Sequence, residues 1–114
     1  MRLAQVIVFG NDLLRMKAFY GQALGLSVLE EGDGFIRLEA GGCVLMLHAI
    51  REPPSAKPRE DTFIKLAFHT DDVAATRDAL IGLGARMYDP HHFGTVTFCD
   101  GVDPEGNVFQ ITTR

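Results

Sequence analysis

Histidines and cysteines are the residues of this chain that could support metal binding or catalysis. On the predicted strands, His48 and His69 are most simply hydrogen-bonded core or rim side chains, and a metal held by displaced imidazole ligands is the alternative. Cys99 stands beside Asp100 with no base evident in the sequence, so we expect a packed thiol there. The complete set is His48, His69, His91, His92, Cys43 and Cys99.

Several signatures of catalysis and nucleotide binding are missing. The sequence contains no glycine-rich phosphate loop, no G-x-S-x-G turn and no C-x-x-C pair. Two cysteines are too few for a disulfide scaffold, which predicts reduced thiols in a cytoplasmic protein. No apolar run reaches the roughly 18 residues of a membrane helix. A net charge of −4 with scattered Lys and Arg argues against nucleic-acid and membrane partners.

The elements that would position these side chains begin with a strand at residues 3–9, which is rich in β-branched residues. Asp12 offers an N-cap for a helix over residues 13–24, and Gly25 ends that helix. The apolar stripe of the helix consists of Leu13, Met16, Tyr20 and Leu24. Three strands separated by glycine turns follow at residues 26–31, 35–39 and 43–49.

The second half of the chain shows the same order of elements. A strand at residues 63–70 is followed by a cap at Asp72 and a helix over residues 73–83. His91 and His92 lie between predicted strands and are expected in a loop, either as solvated side chains or as part of a flexible rim over the ligand-binding face. The strands after the helix are predicted at residues 85–88, 95–99 and 107–112.

The two halves align in register. Asp12 matches Asp72 with an offset of 60 (72−12), and Met46 matches Gln110 with an offset of 64 (110−46). Each half therefore reads as βαβββ, and one such module cannot cover both faces of its sheet alone. We predict a single α+β domain over residues 1–114. It comprises module one at 1–52, a proline-rich linker at 53–61 and module two at 62–114.

This pattern resembles the vicinal-oxygen-chelate superfamily, which includes glyoxalases, bleomycin resistance proteins and extradiol dioxygenases. The resemblance covers essentially the whole chain and implies two tandem βαβββ modules that form a curved, cup-like mixed sheet with helices on its outer face. It also implies a homodimer, in which the two modules pair either within one chain or between chains. The segments that carry it are Asn11-Asp12-Leu13, Ala18-Phe19-Tyr20, Leu24-Gly25-Leu26, Asp71-Asp72-Val73, Leu83-Gly84-Ala85 and Asp103-Pro104-Glu105-Gly106-Asn107.

The resemblance also identifies where a metal site would lie. Metal-using relatives place histidine on the first strand of each module and a carboxylate or histidine on the fourth, and these ligands face the cup. The matching positions here are Gln5, Met46, Lys65 and Gln110. Amides bind divalent cations weakly, a thioether suits soft ions, and an ammonium group repels a cation. We therefore expect no metal and no other cofactor.

Strand alternation places Lys65 and His69 on one face, and Met46 and His48 on one face. If the metal-ligand positions of the family face the cup, these four side chains face it as well, together with Gln5 and Gln110. Lys65 could then bind an anionic or carbonyl oxygen, pair with a carboxylate such as Glu39, or, with a lowered pKa, act as a base or nucleophile.

Three hypotheses of function follow. The first is a metal-independent protein that binds a small anionic or carbonyl-bearing ligand in the cup, near Gln5, Met46, Lys65, Gln110, His48 and His69. The second is a lyase, isomerase or dioxygenase of the glyoxalase type that uses displaced metal ligands or Lys65 as acid and base. The third is an interaction module whose cup is filled by side chains such as Met46 and Phe9.

Overall fold

The chain divides into two compact units, Met1–Ser55 and Ala56–Arg114. The structure, a computed structural model, describes residues 1–50 and 64–114 of these units. The predicted linker at 53–61 and the module ends at 52 and 62 lie outside the described residues. Each unit has its own sheet and its own helix, and is described by itself below.

The first unit is a four-stranded sheet with one helical segment. The strand order is β1-β4-β3-β2, in which β1 and β4 are parallel and the other pairs are antiparallel. Its elements are β1 Gln5–Gly10, α1 Leu13–Lys17, a π-helical turn Ala18–Ala23, β2 Val28–Gly32, β3 Phe35–Glu39 and β4 Val44–Ala49.

The second unit repeats this arrangement with one additional short strand. Its strand order is β5-β9-β8-β6, again with a parallel pair at one edge, and β7 also pairs with β8. Its elements are β5 Leu66–His69, α2 Val73–Gly82, β6 Arg86–Met87, β7 His91–Phe93, β8 Val96–Val102 and β9 Val108–Thr112.

The duplication predicted from the sequence is confirmed at the level of single hydrogen bonds. The Asp12 carboxylate accepts from the Arg15 amide at 3.0 Å, and the Asp72 carboxylate accepts from the Ala75 amide at 2.9 Å. Both are N-caps that satisfy an otherwise unpartnered helix donor. The α+β class is likewise confirmed, and the first half has the predicted βαβββ order, whereas the second half adds the short strand β7.

Each helix packs on one face of its own sheet and buries alternate side chains of the strands. In the first unit Met16 and Tyr20 of the helical segment lie with β-strand residues Leu38 and Leu47, all at most 1% exposed. The second unit buries Leu80, Cys99, Phe109 and Ile111 to 0% exposure. Burial of one such large apolar side chain contributes about 1.5–3 kcal/mol, so these residues fix which face of each strand turns inward.

The structure corrects two predictions of local structure. The single helix over residues 13–24 is an α-helix only to Lys17 and then continues as a π-helical turn. In that turn Phe19 and Tyr20 are neighbours in sequence, yet both lie in the core with their rings 5.0 Å apart.

His91 and His92 are not in a loop but in β7, which forms a hairpin with β8. Gly94, with a φ of +61°, lies at the first position of the two-residue turn, where a hairpin needs a residue tolerant of positive φ.

The described helices are short, and the longest has ten residues. Across residues 1–50 and 64–114, none of them combines the length and the apolar character needed to cross a bilayer.

The core of the second unit makes a testable prediction about stability. Phe109→Ala should lower the free energy of unfolding by about 3–5 kcal/mol, because it leaves a cavity where a fully buried ring packs. Phe93→Ala is the matched control, and since Phe93 is 75% exposed its effect should stay within about 0.5 kcal/mol. Urea denaturation followed by circular dichroism measures both values. Equal losses in the two variants would contradict the assignment of the buried face.

Candidate functional site

The sheet of the second unit has an open face on the side away from α2. Along β9, Phe109 and Ile111 point to the helix, and Gln110 and Thr112 therefore point to the open face. The strand register aligns residues in rows across this face. One row runs His91, Phe98, Thr112 and His69, and the next contains Asp100, Gln110 and Ala67.

A cavity of about 650 Å³ lies on this open face. Aromatic and aliphatic side chains from β7 and β8 form one part of its wall, and polar side chains from β5, β9 and the following residues form another. Its lining residues are Ala67, His69, Phe93, Val96, Phe98, Gln110, Thr112 and Arg114. The volume falls within the range of about 300–1,000 Å³ that is typical of small-molecule sites.

His69 is held at the edge of this cavity with both ring nitrogens facing oxygen atoms. Nδ1 lies 3.2 Å from the main-chain oxygen of Arg114, and Nε2 lies 3.1 Å from a carboxylate oxygen of Asp71. Only the imidazolium can donate to both oxygens, since neutral histidine carries one N–H. The Arg114 hydrogen bond, and then the Asp71 carboxylate, raise the pKa of His69 above its usual value of 6.5.

The ammonium group of Lys65 is paired with a carboxylate beside the cavity. Its Nζ lies 3.1 Å from Oδ1 of Asp100, and the same oxygen accepts a hydrogen bond from Nε2 of Gln110 at 3.0 Å. Pairing with a carboxylate was one of the three alternatives for Lys65, and the partner is Asp100, not Glu39, which served as the example. Glu39 instead accepts from the amides of Gly41 and Gly42, each at 2.9 Å.

The remaining predicted site residues lie on the open face of the first unit. Met46 pairs in register with Ile7 on one side and Arg37 on the other. The His48 ring packs edge-on against Phe9, with centroids 5.6 Å apart, and its Nδ1 lies 2.8 Å from the Ala49 carbonyl oxygen. Gln5 is exposed at the start of β1.

Of the six side chains predicted to bind a ligand, His69 and Gln110 line the cavity. Lys65 is connected to it through Asp100, which pairs with Lys65 and accepts a hydrogen bond from Gln110. Sequence reasoning missed the aromatic and aliphatic wall, which is supplied by Phe93, Val96 and Phe98. The missed signal was the hairpin turn at Gly94, which would have revealed β7 and its register on β8. The binding role of all six remains a prediction.

Cys99 does not form part of the open face. Its thiol is fully buried and donates to the Tyr88 carbonyl oxygen at 3.1 Å. Burial raises the pKa of Cys99 above its usual range, so the group is a packed thiol and not a nucleophilic thiolate. Both cysteines are free, as the sequence predicted.

Comparison with known proteins identifies the family. Residues 5–112 match the family model of the glyoxalase-like domain. The chain belongs to the glyoxalase-like domain family. This domain finds no match among curated proteins.

Several solved structures resemble this glyoxalase-like domain. A glyoxalase/bleomycin resistance/dioxygenase family enzyme from Burkholderia phytofirmans has 25% identity and a TM-score of 0.81, with 98% of each chain covered. A glyoxalase-related enzyme from Fulvimarina pelagi has 18% identity and a TM-score of 0.81, covering 98% of this chain and 87% of that one.

A third similar structure is a fosfomycin resistance protein from Listeria monocytogenes. It has 15% identity and a TM-score of 0.80, and the alignment covers 98% of this chain and 89% of that one. That structure contains Mn(II) and a dihydroxypropylphosphonic acid. At this level of identity, the likeness concerns the fold alone.

The residues that the resemblance assigns to the metal positions have side chains that suit a divalent cation poorly. Lys65 brings a positive charge, Gln110 points an amide N–H group at Asp100, and Met46 offers only a thioether. Within the described ranges, no group of three or more His, Cys, Asp or Glu side chains could hold a metal ion.

The two contacts of His69 predict a specific dependence on pH. Because its pKa is raised, its contribution to stability is complete below about pH 6.5 and is lost as the pH rises through the folded-state pKa. An NMR titration should give a pKa above 6.5 for His69, and Asp71→Asn should lower it. An unchanged pKa in that variant would contradict the Asp71 contact.

The Lys65–Asp100 pair predicts a small coupling energy. Its side chains are 45% and 34% exposed, so solvent screens their attraction. A double-mutant cycle with Lys65→Met and Asp100→Asn, measured by urea denaturation, should give a coupling of about 0.2–1 kcal/mol that weakens with added salt. A salt-independent coupling above about 2 kcal/mol would mean that the pair is effectively buried.

Proposed function

We propose that this glyoxalase-like domain is a metal-independent binding protein for a small, partly apolar ligand that carries an anionic or carbonyl oxygen. The observation that carries this proposal is the cavity of about 650 Å³ on the open face of the second sheet. An interaction module with a filled face would leave no such space, and the cavity therefore favours a binding function.

The charges around the cavity support an anionic or carbonyl ligand. The Arg114 hydrogen bond and the Asp71 carboxylate raise the pKa of His69, and Arg114 is a second basic residue of the lining. Asp100 is already engaged by Lys65 and Gln110, so its negative charge is largely compensated. The chain as a whole carries a net charge of −4, which makes a cavity lined by cationic side chains a local exception.

Lys65 takes a supporting role in this proposal. Its ammonium group is bound to Asp100, so the ligand oxygen is assigned to His69 and Arg114, with Gln110 nearby. We further propose that the protein is cytoplasmic and homodimeric, as the free thiols and the family resemblance suggest.

Metal content and ligand binding together test this proposal. Purified protein should contain less than stoichiometric Ni, Zn, Fe and Mn by elemental analysis. A thermal-shift panel of small carboxylates, phosphonates and neutral carbonyl compounds should give binders whose affinity, measured by calorimetry, is unchanged by EDTA. The Val96→Trp variant should lower that affinity at least tenfold, because the indole occupies the cavity.

Ile81→Trp is the matched control. Ile81 is 44% exposed on α2, away from the open face, so this variant should bind like the parent. Stoichiometric metal, or loss of binding in EDTA, would overturn metal independence and favour a glyoxalase-type lyase, isomerase or dioxygenase. A panel without any binder would overturn the binding function itself.

A further inference from the structure

The apolar wall of the cavity is largely aromatic. Phe93 is 75% exposed, and Phe98 lies opposite His91 in the β7–β8 pair with the two rings stacked at 5.7 Å and 30°. Val96 completes this wall. The exposed ring of Phe93 and the neighbouring ring of Phe98 together offer an aromatic surface on which the ring of a ligand could stack.

The opposite end of the cavity is cationic. His69 lines it with a ring that favours the imidazolium form, and Arg114 lines it as well. No ion pair of the Arg114 guanidinium is found within residues 1–50 and 64–114, and its main-chain groups are bonded to Thr112 and His69. Two basic residues in one lining suit a carboxylate, which can accept a charge-assisted hydrogen bond from each side chain.

The strand register sets the spacing between these two ends. Phe98 on β8 and His69 on β5 both pair in register with Thr112 on β9, which lies between them. Two strand spacings place their backbones about 10 Å apart. A carboxylate attached directly to a ring on Phe98 would therefore lie above Thr112 and would not reach His69. Two methylenes between ring and carboxylate extend the ligand by about 2.5 Å towards His69.

From this geometry we infer that the ligand is an arylalkanoic acid, with an aromatic ring on the Phe93–Phe98 wall and a carboxylate at His69 and Arg114, joined by about two methylenes. The inference rests on the proposed binding function of the cavity and adds the substrate class to it. Thr112, which is 8% exposed, forms the floor beneath the saturated chain.

The carboxylate of the ligand takes the place of Asp71 at Nε2 of His69. The Asp71 side chain is fully exposed, so it can return to water without leaving a buried charge. The Arg114 hydrogen bond to Nδ1 is retained in the complex. Asp71 thus acts as an internal competitor of the ligand at the imidazolium.

Calorimetric titration of the protein in EDTA with matched compounds tests this inference. At pH 5.5, 3-phenylpropanoate should bind about tenfold more tightly than benzoate. It should also bind about threefold more tightly than 3-cyclohexylpropanoate, which lacks the aromatic face, and at least tenfold more tightly than 3-phenylpropanamide, which lacks the charge.

Variants of the cationic end provide the second arm. His69→Gln should weaken 3-phenylpropanoate binding about tenfold, and Arg114→Gln should weaken it as well. His92→Gln is the matched control, because His92 lies on the same hairpin but bonds Thr97 and does not line the cavity. Asp71→Asn should strengthen binding a few-fold at pH 5.5, since it removes the competitor while His69 stays protonated.

The pH dependence provides the third arm. Affinity for 3-phenylpropanoate should fall as the pH rises through the pKa of His69, and this dependence should be absent in His69→Gln. Among residues 1–50 and 64–114, Asp71 contacts His69, Arg114 shares the lining with it, and β9 presents the uncharged Thr112 beside it. The titratable His91 lies further along the same row, stacked on Phe98. The next charges, Lys65 and Asp100, neutralise each other.

The outcomes separate this inference from the proposed function. Equal affinity for the phenyl and cyclohexyl acids, equal affinity for the amide, or no effect of His69→Gln would overturn the arylalkanoic acid. If other compounds of the panel still bound and Val96→Trp still blocked them, the binding function would stand. Weaker binding in Asp71→Asn would overturn the role of Asp71 as a competitor.

Discussion

The parallel pairing of the first and last strands in each unit is the constraint on which the rest of the structure depends. In the second unit it sets Ala67 beside Gln110 and His69 beside Thr112. Burial of Phe109 and Ile111 against the helix side fixes which residues of β9 face outward, since a shift of one residue would reverse every side chain. The cavity, its cationic end and its floor all follow from this register.

The charge balance of the open face depends on the register of the neighbouring strand pair, β8 and β9. Asp100 on β8 lies opposite Gln110, within reach of Lys65, and these two side chains satisfy one of its oxygens. Without them, an uncompensated carboxylate would face the cavity and oppose an anionic ligand. The ion pair is exposed enough to contribute little to stability. In the proposed binding function, its effect is to leave His69 and Arg114 as the charged residues for the ligand.

Much of the fold could be predicted because its signals are local. Asp12 and Asp72 are helix caps whose chemistry is readable from adjacent residues, and the glycine turns bound the strands. The partner of Lys65 could not be predicted, because Asp100-Gly101 resembles a turn and the strand was expected to end at residue 99. In the structure β8 continues to Val102, and only this extension places Asp100 in register with Gln110.

The duplication also explains why the second unit carries the cavity described here. The offsets of 60 and 64 residues relate Ile7 to Ala67 and His48 to Thr112 (67−7 and 112−48). Each exchange replaces a larger side chain on the open face by a smaller one, in sheets with the same strand order. The cavity lies over Ala67 and Thr112, so smaller side chains at equivalent positions open its floor, and the additional strand β7 contributes Phe93 to its wall.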